Sequence, residues 1–256
     1  MRIEMIAQSP LVHGEFSDGI DLGNMMNFRH LPMIKDGKIY SVPVVSGNAI
    51  RGIMRRILAR ELVDTFDLKN RMGKNFDRFY IAVANGGNLD KNMDVGVDTN
   101  GIRGLRQAFP LLSVLGAALY KYMLPGMVNV GFAIPRCYEL STGTMRLSEM
   151  TQDIGLTRHI DKTIADAGEA KPMPYTVEAV IPGVKFDIDV TPALQITELE
   201  LSCLNHGLSQ IQYIGGKHSS GFGKVAINGY GNDELYCEWL KNPDNGDYLV
   251  NFAEEL

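Results

Sequence analysis

The sequence predicts an α+β protein with an open antiparallel sheet backed by helices. Three observations predict it. The N-terminal residues alternate apolar and polar. An apolar stripe at helical spacing follows Ser46. A second apolar helix near residue 200 runs into a glycine-rich loop and a closing strand. The 256 residues, 45% hydrophobic and 21% charged, suffice for one large domain or one domain carrying big insertions.

Taken in order, Ile3, Met5 and Ala7 alternate with polar neighbours over residues 1–8, as in a half-buried strand. A polar, glycine-punctuated stretch runs from Gly14 to Asp36. Lys38 to Val45 again has strand character. Ser46 is a good N-cap for a helix over roughly Asn48 to Phe66, with Ile50, Ile53, Met54, Ile57, Leu58 and Leu62 on one stripe. Residues 67–108 are polar and glycine-bearing, an insertion expected to be partly helical. Leu111 to Leu124 predicts a second helix stopped by Pro125-Gly126, and Met127 to Leu140 a strand. Residues 141–174 suggest a projecting loop or hairpin. Tyr175 to Val190 suggests two strands around Pro182-Gly183. Thr197 to Gln210 predicts a third helix, followed by the loop at 215–223 and a strand over Lys224 to Ile227. Strand, helix, two strands, helix, strand is the ferredoxin-like order. It leaves one sheet face for a ligand.

The net charge is −5, but it is unevenly spread. Residues 232–256 carry seven acids and one base, so that segment is expected to be an acidic surface tail on a near-neutral body. Such a body can still present a local basic groove to phosphate. No apolar run is long enough for a transmembrane helix, and the first residues do not resemble a secretion signal. Cys137, Cys203 and Cys237 form no CxxC pair, which argues against a zinc ribbon and fits idle thiols in a reducing cytoplasm. The five histidines show no metal-ligand periodicity, and no GxSxG elbow exists. No cofactor is expected.

The glycine-rich segment Gly215-Gly216-Lys217-His218-Ser219-Ser220-Gly221-Phe222-Gly223 superficially resembles a Walker A loop. Its first glycine position is His218, and Lys224 is followed by Val225 rather than Ser or Thr. A dinucleotide fingerprint fails too, because a strand and not a helix follows. Two readings remain: a nest of backbone N–H groups, with Lys217 and His218 as donors to anionic oxygen, or a tight turn entering an edge strand. A helix N-terminus formed by Ser46, Gly47 and Asn48 also suits phosphate, with Arg51, Arg55 and Arg56 adding charge. The plain alternative is an N-cap with solvated arginines. Asn24, Arg29 and His30 lie in the polar stretch upstream, and Arg158, His159 and Lys162 in the later projecting loop. A catalytic pair of His30 with Asp18, Asp21 or Asp36 has no support from spacing.

In this order, these segments resemble the Cas-seven family of CRISPR RAMP proteins, the backbone subunits of Cascade-like complexes. The resemblance rests on Gly23-Asn24-Met25-Met26-Asn27-Phe28-Arg29-His30 with Val42 to Gly52, on Leu112 to Ala118 with Gly126 to Gly131, on Tyr175 to Phe186, and on the loop at 215–223. It implies an RRM-like palm over residues 1–66 and 109–231, a finger-like insertion at 67–108 and a thumb at 141–174. It implies copies assembled head to tail along a crRNA guide, with other effector subunits and a nucleic-acid target, DNA rather than RNA, in antiviral defence. Asn24, Arg29, His30, Ser46, Gly47, Asn48, Arg51, Arg55 and Arg56 would face the guide backbone. Arg158, His159 and Lys162 would sit in or near the thumb, and Gly215, Gly216, Lys217, His218 and Ser219 would touch the guide through the loop. A subunit that accepts any spacer should hold phosphate and 2′-hydroxyl rather than base edges.

RNA-targeting members cut with a loop aspartate. The Asn24-to-His30 stretch looks more like the DNA-targeting branches, so a cytoplasmic non-enzyme without catalytic residues is expected. The alternatives are a guide-processing or target-cleaving RAMP endoribonuclease and a stand-alone RNA-binding module.

Overall fold

The computed structural model describes residues 1–14, 25–89, 99–120, 122–158 and 173–255. The strands are β1 (Arg2–Ala7), β2 (Met25–Met26), β3 (His30–Lys35), β4 (Lys38–Pro43), β5 (Gly87–Leu89), β6 (Ala117–Tyr120), β7 (Tyr122–Leu124), β8 (Val128–Pro135), β9 (Thr151–Arg158), β10 (Met173–Val180), β11 (Lys185–Pro192) and β12 (Val225–Asn228). The helices are α1 (Gly47–Thr65), α2 (Leu68–Met72), α3 (Phe76–Asn85), α4 (Thr99–Ala108), α5 (Pro110–Leu115), α6 (Glu198–Ser209), α7 (Glu234–Lys241) and α8 (Pro243–Glu255).

The central sheet runs β12-β1-β11-β8, every neighbour antiparallel. α1 lies between β1 and β8 in the chain, and α6 between β11 and β12. This is the ferredoxin-like β-α-β-β-α-β order with insertions. Alternation sets its faces: Ile3, Met5, Phe186, Ile188, Val190, Val128, Val225 and Ile227 are buried, against Ile50, Met54 and Leu58 of α1 and Leu204 and Leu208 of α6. The α1–α6 crossing is close because Gly207 has no side chain. A Cβ there would come within 2.5 Å of Met54 Cγ.

The opposite sheet face is not an anion surface. Its acids are matched by arginines: Arg136 reaches Glu4 at 2.5 Å and Asp187 at 2.7 Å, and Arg2 reaches Asp189 at 3.1 Å.

Several expectations are corrected. The helix expected over Leu111–Leu124 stops at Leu115. Gly116 has a φ of +71°, and a Cβ on it would lie 2.6 Å from Gly126 N, so the chain turns there into β6 and β7. The strand expected to Leu140 ends at Pro135. The 141–174 region, by contrast, holds strand pairing of the hairpin kind expected there: β9 pairs antiparallel with β10. The strands flanking Pro182-Gly183 do not pair with one another: β10 joins β9 and β2, and β11 joins the central sheet. The polar stretch before Asp36 holds β3, which forms a hairpin with β4 through the left-handed pair Asp36 (φ 50°) and Gly37 (φ 76°). The insertion at 67–108 is partly helical as expected, and Leu68, Phe79, Ala82 and Leu105 join the main core.

The acidic tail is also corrected. Residues 234–255 form α7 and α8, which bury Tyr236, Leu240, Leu249 and Ala253. Trp239 meets Phe66 edge-on at 5.9 Å, and Phe252 meets Phe109 at 6.3 Å. Glu234, Glu238, Asp244 and Asp247 lie exposed on the outer side of these amphipathic helices. Among the described residues, no helix is long and apolar enough to cross a membrane.

Candidate nucleic-acid interface

The short segment after β1 brings the predicted pieces together. Gly216 N donates to Val12 O at 3.0 Å, and Gly223 N to Pro10 O at 2.8 Å, so the glycine-rich loop lies along residues 10–12. Leu11 bridges to Val180 of β10. One residue on, His13 Nε2 accepts the Ser46 N–H at 3.3 Å, and His13 O accepts the Arg29 N–H at 2.9 Å. The loop, the start of α1 and the Phe28–His30 segment therefore share one strut.

The loop needs its glycines. Gly215, Gly221 and Gly223 have φ values of +89°, +84° and +82°, and Lys217 is itself left-handed at +61°. A Cβ on Gly215 would stand 2.0 Å from Val12 O. Phe222 anchors the loop in a small second core with Val12, Val177 and Ala179. Lys217 Nζ donates to Tyr175 Oη at 3.0 Å and lies 4.3 Å from that ring's centre. This ties the loop to β10. Residues Gly216, His218, Ser219, Ser220 and Gly221 form the exposed tip. His218 rests against Tyr213, ring centres 5.3 Å apart. The tip is one short 3-10 turn, His218–Ser220. Among the described residues no acceptor takes the His218 and Ser219 amides. Two adjacent exposed N–H groups beside a lysine can hold an anionic oxygen.

At α1, Ser46 caps the helix through the Ala49 N–H at 3.2 Å. Gly47 is a packing residue: a Cβ would lie 2.0 Å from Val130 O. Asn48 is exposed on the first turn. Arg56 is exposed, its guanidinium 3.5 Å from the position of a Cβ on Gly52, folded back toward that helix start.

Arg51 and Arg55, expected to face the guide, hydrogen-bond to main-chain carbonyls of this chain. Arg51 Nη2 donates to Leu115 O at 2.7 Å, and Arg55 Nη2 to Leu115 O and Gly116 O at 2.8 and 2.7 Å. Their guanidinia satisfy carbonyls at the end of α5. Burial, then the neighbouring Arg51 charge, lowers the Arg55 pKa to about 10. His30 is half-buried, with Nδ1 2.9 Å from Phe28 O and Nε2 3.6 Å from Glu178. Its carboxylate neighbour is thus Glu178 rather than Asp36, which is spent in the hairpin turn. Asn24, Asp18, Asp21, His159 and Lys162 lie outside the described residues, and Arg158 is placed only as the end of β9, opposite Met173. Sequence reasoning missed His13, Tyr175 and Tyr213. No local pattern marks them, since their role comes from strands and loops meeting in space.

No protein-family model matches the chain, and no curated protein does. Solved structures do. The fold is shared with a chain of a CRISPR complex, in line with the resemblance seen in the sequence. A chain titled Type IV-B CRISPR Complex aligns with a TM-score of 0.58 at 20% identity, over 89% of this chain and 88% of that one. Lower scores join it to a chain of the Type III-B Cmr-beta complex bound to cognate target RNA (TM-score 0.47, 13% identity, 89% of this chain and 58% of that) and to Thermofilum pendens Csc2 (0.45, 16%, 99% and 75%).

Proposed function

We propose that this chain is a guide-binding backbone subunit of a CRISPR effector complex. Copies line up along a crRNA, hold its backbone and present the spacer for pairing with a DNA target, alongside other effector subunits and without a nuclease step of their own. The observation that carries this reading is the convergence of the exposed His218 and Ser219 amides, Lys217 and the α1 N-terminus on one strut, in a fold shared with a Type IV-B complex chain. Such a surface offers N–H groups and cations to phosphate oxygens, contacts that hold the backbone regardless of sequence. The matched charges of the outer sheet face favour this end of the molecule over that face.

Fluorescence anisotropy with two RNAs of unrelated sequence tests the reading. The affinities should agree within a few-fold and fall steeply with salt, and Lys217→Ala should reduce the salt slope by about one. Strong preference for one sequence, or no RNA binding at low salt, would overturn it.

A further inference from the structure

A second cluster of polar side chains lies outside the proposed RNA surface. His206 of α6 is buried, and Nδ1 lies 2.8 Å from Asp233 Oδ2 and 3.7 Å from Cys237 Sγ. These three donor atoms all lie within 4.8 Å of one another. On the other side of the ring, Nε2 lies 2.9 and 3.0 Å from the two Glu61 oxygens of α1. Asp233 is the N-cap of α7 and Cys237 stands one turn on, a spacing that places both on one helix face. That face is fixed to α6 by Tyr236 N donating to Ser202 Oγ at 2.9 Å and Asn205 Nδ2 to Asn232 O at 3.0 Å. The Tyr236 ring, 5.2 Å from the imidazole, walls one side.

We propose that His206 Nδ1, the Asp233 carboxylate and the Cys237 thiolate form a zinc site, with water in the fourth position and Glu61 accepting the His206 Nε2–H. The donor set is imidazole, thiolate and carboxylate, each an ordinary zinc ligand. Tetrahedral zinc with bonds of about 2.0–2.3 Å separates its ligands by roughly 3.3–3.6 Å. The observed 2.8 and 3.7 Å bracket that range. The carboxylate behind the far ring nitrogen is the usual arrangement that fixes the tautomer of a metal-bound histidine. Without an ion, hydrogen bonding to Glu61 outweighs burial and, with Asp233, raises the His206 pKa, while burial and then Asp233 raise that of Cys237. Zinc binding requires loss of the thiol proton and of any proton on Nδ1, so the affinity falls with falling pH. The ion joins α7, and α8 behind it, to the ferredoxin-like core.

The test uses the full chain, stripped with a chelator and titrated with Co²⁺. One equivalent should give a thiolate-to-cobalt charge-transfer band with the strong visible absorption of a four-coordinate site, and Zn²⁺ should displace it. Cys237→Ser should abolish the charge-transfer band while Cys137 and Cys203 remain, and Asp233→Asn should weaken binding roughly tenfold or more. Zn²⁺ should also raise the Tm of the wild-type chain. If His206 is only a protonated bridge between carboxylates, neither band nor Tm shift appears. That result, or a band surviving in Cys237→Ser, overturns the proposal.

Discussion

Arg51, Arg55 and Arg56 stand on neighbouring turns of one helix, the first two turned onto the Leu115 carbonyl and the third exposed. Arg55 Nη2 holds two carbonyls where α5 ends. Removing it leaves them short of donors in a closed site, so Arg55→Ala should cost about 1–3 kcal/mol in urea unfolding with an unchanged m-value. RNA binding by the molecules that remain folded should not move. Arg56 is exposed, and Arg56→Ala should change stability by less than about 0.5 kcal/mol yet lower the salt slope of RNA binding by about one. The three arginines were legible in the sequence as a cationic group. Which pair turns inward was not, because Leu115 and Gly116 come from a segment about sixty residues away. The same holds for Ser46 and Gly47. The cap was legible as a residue type at a helix start, but the close approach of α1 to Val130 O that excludes a side chain at Gly47 belongs to the packed sheet.

At the scale of elements, the glycine-rich loop separates structural from functional glycines. Gly215 combines a φ of +89° with a Cβ position 2.0 Å from Val12 O, whereas Gly216 has open space around its Cβ position. Gly215→Ala should therefore undock the loop and lower both the urea midpoint and RNA affinity. Gly216→Ala should leave stability within about 0.5 kcal/mol of wild type. Equal effects of the two would mean that the loop is not held on residues 10–12. The core elements β1, α1 and β12 were legible because each has one buried face and so a clean period. The run through α5 was not. Leu111, Leu112, Ser113, Val114 and Leu115 are all buried, so periodicity cannot tell where helix gives way to strand. α7 and α8 were hidden by their acids, which mask the buried stripe of Tyr236, Leu240, Leu249 and Ala253. Removing residues 232–256 should bare Phe66 and Phe109 and abolish cooperative unfolding, as seen by the loss of a single sigmoidal transition in circular dichroism.

For the whole molecule, a net charge of −5 is compatible with RNA because the charges are sorted. The C-terminal helices carry an excess of acid, and the outer sheet face is paired internally. Lys217 and Arg56 leave a local cationic surface by the loop and α1. The ferredoxin-like order was legible from the element sequence, and the 4-stranded sheet order β12-β1-β11-β8 follows from it. The proposed head-to-tail assembly came from the resemblance alone, since no periodicity marks the surfaces it would use. The central claim is that RNA organises copies of this chain. Light scattering of the purified protein, alone and with RNA long enough for several copies, tests it most directly. The account predicts growth to a mass that rises in steps with RNA length and is lost at high salt. A species that stays the size of one chain with every RNA would contradict it.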